Sequence, residues 1–489
     1  MRNGVTYLLL MLTVLFLLQG CHTEPKTGTL TGIVILDNDT LDPAKDPVDY
    51  SGITVSLYPT ASLDTTMVRI NSVYPQIGVH LSQETDFDHR DHQAVKSTAT
   101  TADGSFKLEG LEGGTYNLAV FKVGWGIKYL YNVEVYEGET LDLDPISLYP
   151  VEEFTSTVTD NITLKSDHCY LVDGETNFIG SVVLQPNTRI YAQPGSMMRF
   201  YGAVEMPDDI DIDDAWRLMS AKDMYASQPS TIGANDFYSS VGFFSNPVTL
   251  RNGIIKHVSN SVALQGATNN VTNCMIRYCG SGLIIPSGAV SISNVIIANG
   301  TDDQTNYGIS IQSSGSVSAQ ITKSMIMNMY YGININSVAS TFDINNCYFY
   351  DSYRAIYDAY ATGTITHNAF ELNTDDIAQY SVGLPVDVSY NNFFHSRRIG
   401  VYPWFVAEIH NNNFFKTDGN FVWIRAEGLS NNCSVHTDVD ATYNYWAVVD
   451  IETYLMDATD NPDYPNSPIP YEIIYMPKRD GRVSSAGIQ

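Results

Sequence analysis

The chain of 489 residues predicts an all-β protein, an N-terminal β-sandwich followed by a right-handed parallel β-helix solenoid. Two observations carry that expectation. Short alternating apolar runs, such as Thr29 to Ile35, Ile53 to Leu57 and Tyr116 to Val120, are separated by turn residues across the first 150 positions. Beyond them a six-residue phrase, apolar–x–x–Asn or small–x–Ile or Phe, begins at Leu250, Val271, Ile292, Ile321, Ile344, Ile365, Val388 and Ile409, with a weaker copy at Ala441. The steps are 21, 21, 29, 23, 21, 23, 21 and 32 residues, a fixed core interrupted by loops of varying length. Such a period marks a solenoid, each coil burying its apolar face against its neighbours.

The first element is a leader, residues 1–20. Arg2 precedes an apolar run from Val5 to Leu18, too short to span a membrane comfortably and suited to a signal-peptide core. Leu17-Leu18-Gln19-Gly20-Cys21 resembles the lipobox of bacterial lipoproteins. The resemblance implies cleavage before Cys21, acylation of that residue, and membrane attachment through the lipid alone. His22 follows where an Asp would signal inner-membrane retention, so the expected place is the cell envelope, at the outer membrane. Residues 21–27 form the tether.

A sandwich is expected over residues 28–150. Within it, Thr100-Thr-Ala-Asp-Gly-Ser-Phe-Lys-Leu-Glu-Gly-Leu-Glu-Gly-Gly-Thr-Tyr-Asn-Leu118 resembles the signature of carboxypeptidase regulatory-like domains. The resemblance implies a prealbumin-like sandwich that serves as a structural or binding accessory. Asp103-Gly104 reads as a tight hairpin turn. The stretch from Asp37 to Lys96 is long for this pattern and contains Asp86-Phe-Asp-His-Arg-Asp-His92, with His80 nearby. One reading makes His89 and His92 part of a metal-binding loop. The simpler reading is a solvated acidic loop, and no metal site is assigned.

The β-helix is expected over residues 152–446, with a lateral, partly helical insertion at about 205–245. A cap and tail follow over 447–489, where Asp450 to Asp457 suggests a short helix. A second short strand accompanies each phrase, as in Gly308-Ile-Ser-Ile and Gly332-Ile-Asn-Ile, too short and Gly-rich for helices. The fourth phrase position holds Gly253, Cys274, Val295, Ser324, Cys347, Asn368, Asn391, Asn412 and Asn444. Small residues and Asn alone suit an inward bend where amides bond up and down a ladder. The repeat resembles that of the pectin-lyase-like superfamily, whose members include lyases, hydrolases, adhesins and inert stalks.

Composition narrows the partners. With 26 Lys and Arg against 54 Asp and Glu, the net charge of −28 argues against nucleic acid. Five cysteines besides Cys21, irregularly spaced, argue against a disulfide framework, and no zinc spacing is present. Cys274 and Cys347 share one slot three coils apart and read as packing residues.

Candidate chemistry falls on consecutive coils. Arg354, Asp375 and Arg398 occupy equivalent places, with His395 and Arg397 close by. On one reading Arg397 or Arg398 pairs a uronate, His395 is a base, and Asp375 or Asp376 orients the group or holds Ca²⁺, the one cofactor entertained. On the other, Arg354 and Arg398 flank Asp375 in a charge ladder that stabilises a turn. Asn373-Thr-Asp-Asp376 resembles part of the polygalacturonase motif set, but the second acidic pair, Gly-His-Gly and Arg-Ile-Lys are missing. Arg354, Arg397, Tyr402 and Trp404 are candidates for ligand contact. The aromatics Tyr330, Tyr331, Tyr350, Tyr353, Phe415 and Trp423 join them as rings to stack on sugar faces, with Gly400-Val-Tyr-Pro-Trp-Phe405 as the best single platform. The expected function is binding of glycan or polysaccharide, or surface scaffolding, without turnover. The alternatives are a polysaccharide lyase or hydrolase acting on an acidic glycan, and an adhesin-type stalk with a protein partner.

Overall fold

A computed structural model describes residues 26–38, 49–225, 236–300, 306–313, 315–337, 340–358, 361–379, 385–395, 398–401, 407–415, 424–426, 438–448, 450–456 and 472–489. The chain divides into two compact units. One is formed by the chain up to Thr60 with His92–Leu148, the other by Ala61–Asp91 with Tyr149–Gln489. Among the described residues no helix is long and apolar enough to cross a membrane.

Among its described residues the first unit holds two four-stranded sheets. Gly28–Leu36 pairs antiparallel with Ser105–Leu111 and parallel with Thr140–Asp142 and Ile146–Leu148. Thr54–Pro59 lies between Lys96–Ala99 and Gly114–Lys122, the latter pairing with Gly126–Val135. Alternation along these strands sends Leu30, Val34, Val55, Leu57, Phe106, Leu108, Leu118 and Val120 into one core. The Asp103-Gly104 turn is not a hairpin. Lys96–Ala99 and Ser105–Leu111 belong to different sheets, so the turn is a corner between them. Gly104 is required there: its φ is +82°, and a Cβ would meet the Val34 carbonyl at 2.2 Å. Asp103 Oδ1 accepts hydrogen bonds from Thr101 Oγ1 and from the Ser105 amide and hydroxyl, which hold its carboxyl down at about 2.

The second unit is a parallel β-solenoid. Among the described residues, twelve short strands from Glu175–Phe178 to Leu455–Met456 stack in chain order on one face. The other two faces are the halves of a bent strand, as in Thr268–Arg277 and Ala289–Ala298, which pair in register coil upon coil. The bend falls on the third phrase position, and every residue there has a left-handed backbone: Asn252, Asn273, Asn294, Lys323, Asn346, His367, Tyr390, Asn411 and Tyr443. Among residues with a side chain Asn tolerates that conformation best, which explains its frequency in the column.

Phrase positions four and six build the interior. Asn391 Oδ1 accepts from the Asn368 backbone N–H at 2.9 Å, and Asn412 Oδ1 from that of Asn391 at 2.8 Å. Asn444 Oδ1 does the same for Asn412 at 2.8 Å, and each amide nitrogen donates to a carbonyl one coil earlier. Position six carries Phe349, Phe370, Phe393, Phe414 and Trp446, stacked at 4.9, 4.9, 4.8 and 4.4 Å between ring centroids. These separations match the roughly 4.8 Å spacing of paired strands, so backbone pairing and ring stacking are satisfied together. Cys274 and Cys347 sit buried in the position-four column. Burial pushes both thiols up to about 12, as it does Cys279.

Two stretches depart from expectation. Within 205–245, Trp216–Ser220 and Ser240–Phe243 are full members of the stack, pairing with the coils on both sides. Among the described residues there, helix is limited to a 3-10 turn, Ile212–Asp214, and the four residues Lys222–Tyr225. Near the end, Glu452–Tyr454 is one 3-10 turn, and Leu455–Met456 continues the twelve-stranded face instead of capping it.

The segment Ala61–Asp91 is not a solvated loop. Its helix Thr65–Val73, capped by Asp64, buries Met67 and Ile70. With Ile77 and Val79 they cover an outward column of the solenoid made by Ile254, Met275, Ile296, Met325 and Tyr348, the fifth phrase position. The last residues run back along the coils. Val483 and Asn413 exchange bonds of 2.8 and 3.0 Å, the Gly487 amide donates to the Tyr390 carbonyl at 2.6 Å, and Gln489 N donates to Asn346 Oδ1 at 2.8 Å.

Candidate functional site

The twelve-stranded face places Tyr307, Tyr331, Arg354 and Asp375 at one register position on four successive coils. The bend before each strand adds Tyr330 and Tyr353. These rings form a continuous surface. Tyr307 and Tyr331 stack at 5.3 Å, Tyr330 and Tyr353 at 4.5 Å, and Tyr330 meets Tyr331 edge-on at 4.8 Å. The Arg354 guanidinium carbon lies 5.7, 5.3 and 5.4 Å from the centroids of Tyr331, Tyr353 and Tyr357, within cation–π range of all three. Tyr353 is 38% exposed and the other rings are half-buried. Partial burial raises the Tyr330 and Tyr331 hydroxyls above their ordinary values, so both are neutral hydrogen-bonding groups at physiological pH.

Below the tyrosines the column turns ionic. Arg354 Nε donates to Asp375 Oδ2 at 3.1 Å, and Arg398 Nε donates to Asp375 Oδ1 at 2.6 Å. Both carboxylate oxygens thus face a guanidinium, and the Asp375 side chain is 2% exposed. Asp376 is fully buried and accepts from Asn373 Nδ2 at 3.1 Å. The structure brings together Arg354, Asp375 and Arg398. His395 occupies an exposed left-handed bend, φ 50°, in a column that includes Asp351 and Leu372. Cys21, Arg397, Tyr402, Trp404 and Trp423 lie outside the described residues. Tyr307 and Tyr357 were not singled out by sequence reasoning. Their signal was present in the second strand of each repeat, where Tyr307 immediately precedes Gly308-Ile-Ser-Ile as Tyr331 precedes Gly332-Ile-Asn-Ile.

A second charged cluster lies where Ala61–Asp91 docks. Asp86 pairs with Arg277, and Arg90 pairs with both Asp88 and Asp223. His257 Nδ1 is 3.4 Å from Asp223 Oδ2, and Lys256 Nζ donates to the Thr85 carbonyl at 3.1 Å. Arg90, Arg277, Asp223 and Lys256 are buried. Burial raises the Asp88 carboxyl, but the hydrogen bond and charge of Arg90 outweigh it and leave it well below its ordinary value. Desolvation lowers the Lys256 ammonium. Opposite charges are matched and out of water, the arrangement of a docking contact. His89 is buried within this segment.

No protein-family model matches the chain, and no curated protein sequence matches it. Among solved structures, the minor pilin GBS52 of the gram-positive pathogen Streptococcus agalactiae is similar at 18% identity. The match covers 26% of this chain and 45% of the pilin, with a TM-score of 0.15, a likeness too slight to bear on function.

Proposed function

We propose that this protein is a cell-envelope lipoprotein that binds glycan on the tyrosine–arginine face of its solenoid and does not turn it over. The observation that carries the reading is the surface of Tyr307, Tyr330, Tyr331, Tyr353 and Tyr357 around Arg354, spread over consecutive coils. Rings repeating along a shaft suit a polymer whose sugar units repeat too, each ring taking an apolar sugar face and each hydroxyl a hydrogen bond. Asp375 is the carboxylate nearest this surface in the column, and two guanidiniums already occupy it. With both oxygens engaged, Asp375 would have to give up an ion pair to contact a substrate proton or a calcium ion, which favours binding over lyase or hydrolase chemistry. The lipoprotein part rests on the Cys21 lipobox resemblance, and the assignment of the two units to the regulatory-like and pectin-lyase-like families on the repeat and turn motifs described above.

The test is a titration of acidic and neutral polysaccharides, with and without Ca²⁺, followed by calorimetry alongside absorbance for unsaturated uronates and reducing-end release. Binding without product is expected, weakened about 2- to 10-fold in Tyr353→Ala, the range for one lost stacking contact. Product formation that disappears in Arg398→Ala would replace this reading with the enzyme. Absence of binding across the panel would leave a scaffold.

A further inference from the structure

His80 lies on the docked segment, one residue beyond the buried Val79, and faces a part of the solenoid distant in sequence. Its Nε2 is 3.6 Å from Asp211 Oδ1 and 3.6 Å from Asp213 Oδ1. One ligand atom from each of the three residues lies within 4.8 Å of the others. Both carboxylates are held in place: Asp211 opens the 3-10 turn Ile212–Asp214 and accepts the Asp213 amide at 3.2 Å, while Asp213 Oδ1 accepts the Ser82 hydroxyl at 2.5 Å. Among neighbouring acids, Asp208 pairs with Arg251, and Asp214 accepts from Asn187 Nδ2 at 3.1 Å.

We propose that His80, Asp211 and Asp213 form a binding site for a first-row divalent metal ion of the zinc class. Zinc sits roughly 2.0–2.2 Å from nitrogen and carboxylate ligands, so atoms on its tetrahedron are about 3.3–3.6 Å apart. The two histidine–carboxylate separations meet that edge length before any ion is present. Two carboxylates brought this close repel, and one imidazole does not cancel them. A dication would. The nitrogen ligand selects zinc, nickel or cobalt over calcium and magnesium, which prefer all-oxygen sites. His80 and Asp211 are more than half exposed, so the ion would keep at least one coordination position open to water. Ser82 is the outer partner that orients Asp213. The site would fasten the docked segment to the coil that carries Asp211, and it is independent of the tyrosine face.

The experiment is calorimetric titration of the metal-free full-length chain with Zn²⁺, with Ca²⁺ as comparator and thermal unfolding in parallel. One Zn²⁺ per chain is expected, bound more tightly than Ca²⁺, with a rise in Tm. His80→Ala should weaken binding by more than about tenfold, the loss that even an outer-shell partner can produce. Asp213→Asn, which keeps the Ser82 bond and so the fold, should do the same. As the control, His410 lies on the strand Ala407–His410 and 3.9 Å from Asp387, and His410→Ala should leave binding as in the wild type. Zinc binding that survives both His80→Ala and Asp213→Asn, or none below about 1 mM in the wild type, about 4.1 kcal/mol of binding energy, overturns the proposal.

Discussion

Replacing Asn391 by Ala removes one rung of the internal amide ladder and tests what holds the solenoid's bend. Its side chain makes five hydrogen bonds: Oδ1 accepts from the Asn368 N–H at 2.9 Å and from Asn368 Nδ2 at 3.1 Å. Nδ2 donates to the Ile365 carbonyl at 2.7 Å, the Ser389 carbonyl at 3.1 Å and Asn412 Oδ1 at 3.1 Å. Asn368 Nδ2 keeps the Ile344 carbonyl, and Asn412 Oδ1 keeps the Asn391 backbone N–H. The Asn368 N–H and the Ile365 carbonyl lose bonds inside a dry core. At about 1–3 kcal/mol for each buried group left unsatisfied, the loss comes to ~3–5 kcal/mol with the small cavity included. Asn391→Ser should cost about half as much. Ser324 already fills this column, accepting from the Val295 N–H at 3.3 Å and donating to the Thr322 carbonyl at 2.8 Å. Because coils in a solenoid can open locally, the readout is hydrogen exchange at the Asn368 amide together with the urea midpoint. Protection should fall at least about a hundredfold in the Ala variant and partway in the Ser variant, at about 1.4 kcal/mol per tenfold. Wild-type protection of that amide in Asn391→Ala would refute the reasoning.

Arg277→Met strands the buried Asp86 carboxylate and should destabilise the unit by ~3–5 kcal/mol in urea, whereas Arg277→Met with Asp86→Leu should recover most of the loss. Asp88 has a depressed folded-state value, so its contribution is complete above the ordinary carboxylate range and is lost as pH falls below about 4 toward that value. Protease cleavage within Thr65–Val73 should therefore quicken below about pH 4 and remain slow from pH 5 to 7. Cys274, Cys279 and Cys347, with thiols pushed up to about 12, should resist alkylation at pH 8 in the native protein and react once it is unfolded, as mass mapping would report. Modification of any of the three under native conditions would mean that coil breathes.

The solenoid was legible because its interior repeats its chemistry. A buried amide tolerates only one slot per coil, so Asn368, Asn391, Asn412 and Asn444 announce the period and the inward direction together. The Arg354–Asp375–Arg398 column was legible for the same reason, since equal spacing stacks equal positions. Whether its charges face a ligand or one another depends on side-chain directions that spacing alone leaves open, and here the ions pair among themselves. The docked segment was hidden. Asp86 meets Arg277 across 191 positions, and no local pattern reports a contact of that range. Its trace was an outward column of Ile254, Met275, Ile296 and Met325, too apolar for solvent, which called for a cover that sequence reasoning did not look for. The Asp103-Gly104 turn misled for a simpler reason: the same left-handed glycine serves a hairpin and a corner between sheets, and only strand pairing tells them apart.

A stack of coils that touch only their neighbours would be expected to fray from its last turn inward. The returning tail changes that accounting. By bonding to Asn413, Tyr390 and Asn346 in succession, residues 483–489 reach back as far as 143 positions and tie several coils to a single strip of backbone. None of those coils can peel away without releasing the strip, and the strip cannot settle until all of them have formed. This end of the solenoid therefore gains cooperativity its repeats alone would lack, because these coils and the strip that crosses them form together.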